Sequence, residues 1–67
     1  MKIIINHSLM TPIYEQVVDQ IKTMIRKGKL KENDQLPSVR TLSKELKISA
    51  LTVKKAYDNL EEEGFVV

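Results

Sequence analysis

With 67 residues the chain makes one small domain, near the lower limit at which a single hydrophobic core holds a fold alone. It has no cysteine and one histidine, His7, which excludes disulfide staples and cysteine-based zinc sites and points to a chain with no metal and no cofactor. A composition 42% hydrophobic and 30% charged, with net charge +2, no apolar run of membrane-spanning length and no signal peptide at the start, describes a soluble, cytoplasmic, helix-rich domain.

In chain order, residues 2–5 are a short β-branched run expected to form an edge strand. Thr11-Pro12 predicts a helix start, with threonine as the cap and proline in the first helical position. Ile13, Val17, Ile21 and Met24, flanked by Tyr14, Val18 and Ile25, keep helical spacing and define one apolar face. Arg26 and Lys27 suit the negative end of that helix, and Gly28 is its expected left-handed terminator. A polar loop follows, anchored by Leu30 and Leu36, with a turn at Asn33-Asp34. Ser38 is expected to cap a short second helix whose inward stripe is Val39, Leu42 and Leu46. Lys47 then falls in a left-handed turn. Ser49 caps a third helix that turns Val53, Ala56, Tyr57 and Leu60 inward and ends at Gly64. Phe65-Val66-Val67 reads as the beginning of another strand. The expected architecture is mainly α, in the order β-α-α-α-β.

The most informative feature is the joint between the second and third helices, a helix-turn-helix over about residues 39–58. Leu42, Leu46, Ile48, Val53 and Ala56 are spaced to pack one short helix steeply across another, and Ser43 is small enough for a close crossing. The outer side of the third helix is left free, and it carries Ala50, Leu51, Thr52, Lys54, Lys55, Asp58 and Asn59. Charge agrees with this division. Residues 36–60 contain five bases, Arg40, Lys44, Lys47, Lys54 and Lys55, against Glu45 and Asp58, and the acids then gather at Glu61-Glu62-Glu63. A helix so placed, about residues 49–63, fits the major groove of DNA, its first turns reaching base edges while amides and lysines meet phosphates. The capped helix starts at Ser38 and Ser49 suit anions in the same way.

Pro12-Ile13-Tyr14-Glu15-Gln16, the Leu36-Pro37-Ser38-Val39-Arg40 block, Leu42, Ile48-Ser49, Thr52 to Tyr57, Leu60 and Glu63-Gly64 together resemble the GntR family of regulators. The opening Ile3-Ile4-Ile5-Asn6 and the Val39-Arg40 pairing resemble its YtrA-like branch in particular. The resemblance covers essentially the whole chain. It implies a winged helix-turn-helix, a homodimeric regulator, most often a repressor, and a palindromic operator. It also implies that Arg40 contacts DNA from the second helix while the first turn of the third helix reads bases. On this reading residues 1–67 form the DNA-binding domain, and the wing hairpin and the carboxy-terminal effector or dimerisation region lie outside the chain. The sequence departs from the family pattern at three places. Ala50 stands where arginine is common, Leu51 where a small or polar residue is common, and Glu32-Asn33 where the loop usually has Pro-Gly.

The candidate DNA-binding residues are therefore Ser38, Arg40, Ser49, Ala50, Leu51, Thr52, Lys54 and Lys55. All but Ala50 have a plainer reading. Ser38, Ser49 and Thr52 can serve as caps alone, Arg40 as a surface arginine, Leu51 as a packed residue, and Lys54 and Lys55 as a solvated face with only one turned to DNA. Lys44 and Lys47 read as solvated, Tyr14 and Tyr57 as core-edge residues, and His7 as inert. Ala50 and Leu51 cannot hydrogen-bond a guanine but can pack on a thymine methyl, which predicts an A·T-leaning site. An enzyme is not expected, because no nucleophile–base pair, histidine–carboxylate cluster or glycine-rich phosphate loop is present. The competing function is a winged-helix module that binds protein rather than DNA.

Overall fold

The computed structural model describes residues 2–30 and 36–65. Three helices make up the fold, α1 (Ile13–Arg26), α2 (Val39–Leu46) and α3 (Ala50–Glu62), and α3 packs against both of the others. The core joins Val17, Val18 and Ile21 of α1 to Leu42 of α2 and to Val53, Ala56 and Leu60 of α3. All but Val18 are completely shielded from solvent. These are the positions that the 3.6-residue period selects, so the apolar pattern alone fixes which faces meet. Leu30 and Leu36 anchor the two ends of the intervening loop against this core. Asn33-Asp34 and the Glu32-Asn33 departure lie outside the described residues.

Residues 2–5 do not form the expected strand; the segment is instead hydrogen-bonded through Ile4 and Asn6 to side chains of α1. Two glutamines one helical turn apart supply the missing hydrogen bonds. Gln20 accepts from the Ile4 amide at 2.9 Å and donates to the Ile4 carbonyl at 2.7 Å. Gln16 accepts from the Asn6 amide at 2.9 Å and donates to the carbonyls of Asn6 and Thr11, each at 3.0 Å. A primary amide offers the same donor and acceptor pair as a peptide bond, so each glutamine acts as one rung of a sheet. Docked in this way, the segment buries Ile3 in the core and leaves Ile4 68% exposed. His7 is exposed in the turn that follows.

The start of α1 also differs from expectation. Pro12 is the cap residue and Ile13 the first helical one, with no side-chain cap. Pro12 is extended (ψ 147°), and its carbonyl receives the Glu15 and Gln16 amides. Thr11 is not the cap, and its carbonyl accepts from Gln16. Gly28, at φ +74°, ends α1 in the left-handed region as expected. Gly64, at φ +80°, does the same beyond α3. Phe65 is not in a strand; it folds back so that its amide donates to the Leu60 carbonyl at 2.9 Å. Residues 66 and 67 of the expected strand lie outside the described residues. The described part of the chain is thus mainly helical, with the second and third helices in helix-turn-helix order.

Candidate nucleic-acid interface

The joint between α2 and α3 is built from a left-handed residue and a cap. Lys47, at φ 57° and ψ 44°, reverses the chain, and the Ile48 amide closes the turn on the Ser43 carbonyl at 3.1 Å. Ser49 then starts α3, its hydroxyl oxygen accepting from the Thr52 amide at 3.1 Å. Ser38 starts α2 identically, accepting from the Thr41 amide at 3.0 Å. In both caps the hydroxyl is also bound at 2.8 Å to the threonine hydroxyl of the same turn. Thr52 is therefore part of the cap. The amides of Ala50 and Leu51, in the first turn, have no partner within the helix and remain available to an acceptor.

The two sides of α3 differ completely. Val53, Ala56 and Leu60 are sealed inward, whereas Ala50, Lys54 and Lys55 are exposed and Leu51 is 79% exposed. The plain reading of Leu51 as a packed residue is thereby overturned; among the described residues nothing covers it. Tyr57, at the core edge, turns its hydroxyl back to donate to the Pro37 carbonyl at 2.7 Å. That bond ties the Leu36-to-Arg40 block to α3 and sets the first turn of α2 beside it. Arg40 stands exposed in that turn.

The neighbouring lysines have different surroundings. Lys54 Nζ lies 2.8 Å from Asp58 Oδ2, one turn along the helix. This hydrogen bond, then the carboxylate's charge, raises the lysine pKa above its ordinary value. Lys55 instead reaches across to α1, its Nζ 4.1 Å from the centre of the Tyr14 ring. Of the eight candidate residues, six sit on α3 or its cap and two on the start of α2. The two partners Asp58 and Tyr14 were not singled out from the sequence as such. The spacing of four from Lys54 to Asp58 was a readable signal. The pairing of Lys55 with Tyr14 depends on how α1 and α3 pack and leaves no local trace.

At the far end of α3, Lys22 Nζ meets both Glu63 carboxylate oxygens at 2.9 Å and lies 5.1 Å from the centre of the Phe65 ring. One acid of the Glu61-Glu62-Glu63 run therefore latches α3 to α1 rather than projecting freely. Among the described residues no helix is long and apolar enough to cross a membrane, and no group of side chains could hold a metal ion.

Comparison with known proteins gives a consistent result. Residues 13–67 match the family described as bacterial regulatory proteins, gntR family. The HTH-type transcriptional repressor YtrA of Bacillus subtilis is 48% identical over 56 residues, which is 84% of this chain and 43% of that protein. The HTH-type transcriptional repressor NagR of the same organism is 40% identical over 62 residues, 92% of this chain and 26% of that protein. The chain thus spans less than half the length of these curated relatives. Among solved structures, YtrA from Sulfolobus acidocaldarius, a GntR-family transcription factor, superposes with a TM-score of 0.94 at 51% identity. That alignment covers 97% of this chain and 69% of the other.

Proposed function

The chain belongs to the GntR family of bacterial regulatory proteins, and from that premise we propose that it binds duplex DNA sequence-specifically as the recognition domain of a transcription regulator. The observation that carries the proposal is the free outer face of α3, with Leu51 79% exposed opposite an inner face that is fully buried. Residues 49–63 enter the major groove. Ala50 and Leu51 meet base edges, chiefly thymine methyls, and Thr52 fixes the cap that presents them. Arg40 and Lys54 meet phosphates, as do the open amides beyond Ser38 and Ser49, while Lys55 guards the Tyr14 flank. Repression, the role in the names of two relatives, is the sign of regulation we assign. The complete protein acts in the cytoplasm as a homodimer on a palindromic operator, which supplies the second half-site that one chain lacks.

The test is titration of duplex DNA over a range of salt concentrations. Binding should weaken steeply with salt, and Arg40→Ala should flatten the log–log slope by about one unit. A partner whose affinity ignores salt, with no duplex binding, would instead identify a protein-interaction module. Site selection from random duplexes should return A·T pairs beneath the start of α3, and a strong guanine preference there would refute the roles given to Ala50 and Leu51.

A further inference from the structure

Leu51, Lys54 and Asp58 fall at i, i+3 and i+7 of α3, and Glu62 continues the same open stripe. Along that stripe the surface runs from apolar through positive to negative. Resting on the DNA-binding reading above, we propose that Asp58 is a specificity-determining residue, which holds Lys54 until α3 is seated deeply enough for a DNA acceptor to displace it.

The geometry supports an exchange. Lys54 and Asp58 touch at 2.8 Å, yet their side chains are 63% and 53% exposed, so the pair is open to competition. Exposed pairs of this kind are weak. A phosphate or base oxygen at hydrogen-bond distance can take the lysine, and Asp58 then returns to water. A duplex held only at the range of the ionic atmosphere, about 8–10 Å, offers no acceptor at that distance. In that loose complex Lys54 and Asp58 stay paired and their charges cancel. Lys54 thus adds to binding only after α3 has entered a groove that fits Ala50 and Leu51. Arg40 differs, since no carboxylate pairs with it among the described residues. It attracts any duplex, whereas Lys54 rewards a seated one. The raised pKa of Lys54, due first to its hydrogen bond with Asp58, is consistent with Asp58 as its main partner. Glu61 and Glu62 stand one turn further on and reinforce the negative end of the stripe.

Asp58→Asn keeps the size and an acceptor oxygen but removes the charge. The experiment measures binding of the wild-type chain, D58N, K54A and K54A/D58N to two duplexes across salt concentrations. One duplex is enriched by site selection and the other is of mixed random sequence. In D58N, affinity for the random duplex should rise about two- to fivefold, and its salt slope should steepen by about one unit. The enriched duplex should gain less, so discrimination falls. K54A/D58N should bind the random duplex as K54A does. The proposal is overturned by no gain on the random duplex, by equal gains on both, or by a gain that persists without Lys54. Failure of the underlying reading looks different, because the wild-type chain would then bind neither duplex even at low salt.

Discussion

A single left-handed lysine sets the angle between α2 and α3. Lys47 holds φ 57°, a conformation that a side-chain-bearing residue adopts at a cost of about 1 kcal/mol. Lys47→Gly should relieve that strain, less the entropy glycine loses on folding, and raise the melting temperature by a few degrees in a thermal scan. Tyr57 makes the opposite point, because it joins the motif instead of straining it. Removing its bond to the Pro37 carbonyl by Tyr57→Phe should cost about 1 kcal/mol in a urea titration. Burial, then the charge of Glu45, pushes the Tyr57 pKa up to about 12 from 10.0. A pKa raised on folding means that the folded state holds its proton more tightly than the unfolded state. The contribution of Tyr57 is therefore complete below pH 10 and lost as the pH climbs from 10 toward 12. Stability of the wild-type chain measured over that window should fall more steeply than that of Y57F.

At the scale of elements, three helices, their caps at Ser38 and Ser49 and their terminators at Gly28 and Gly64 were all legible in the sequence. Each is decided by residues within a few positions of one another. The amino-terminal segment was only half legible. Three β-branched residues announce an extended backbone, but nothing local says that its partner is a pair of glutamines on α1. Gln16 is only 6% exposed, and its amide serves two carbonyls and one amide. Gln16→Ala strands those groups and should lower stability by about 2 kcal/mol, by the cost of unsatisfied buried polar groups. Gln20 works at a more exposed place, so Gln20→Ala should cost under about 1 kcal/mol. Chemical denaturation ranks the two; equal costs would contradict the asymmetry. In the site, spacing exposed Ala50, Leu51 and Lys54 correctly, whereas the turning of Lys55 toward Tyr14 depended on helix packing that no window of sequence contains.

At the scale of the whole molecule, so small a core leaves little reserve. A chain of this length has roughly 3–10 kcal/mol of stability to lose. Leu42 is completely buried and is the one fully buried side chain that α2 sends into the core. Leu42→Ala should remove about 3 kcal/mol and lower the melting temperature by more than roughly 10 °C, since replacing it loosens α2 from α3, the helix it packs against. DNA binding should disappear with it, although Leu42 faces away from the proposed interface. The glutamine rungs carry a further consequence for how this molecule tolerates changes in length. Four residues of helix advance about 6.0 Å while two residues of extended chain advance about 6.6 Å. Helix and segment are thus two rulers whose marks coincide only briefly. They agree at Gln20 with Ile4 and at Gln16 with Asn6. One turn further in either direction stand Pro12, the cap residue, and Met24, and neither side chain can bond a peptide group. Extra residues in the turn at 7–11 leave the rulers aligned. One extra residue between Ile4 and Asn6 breaks their phase and turns Ile3 out of the core.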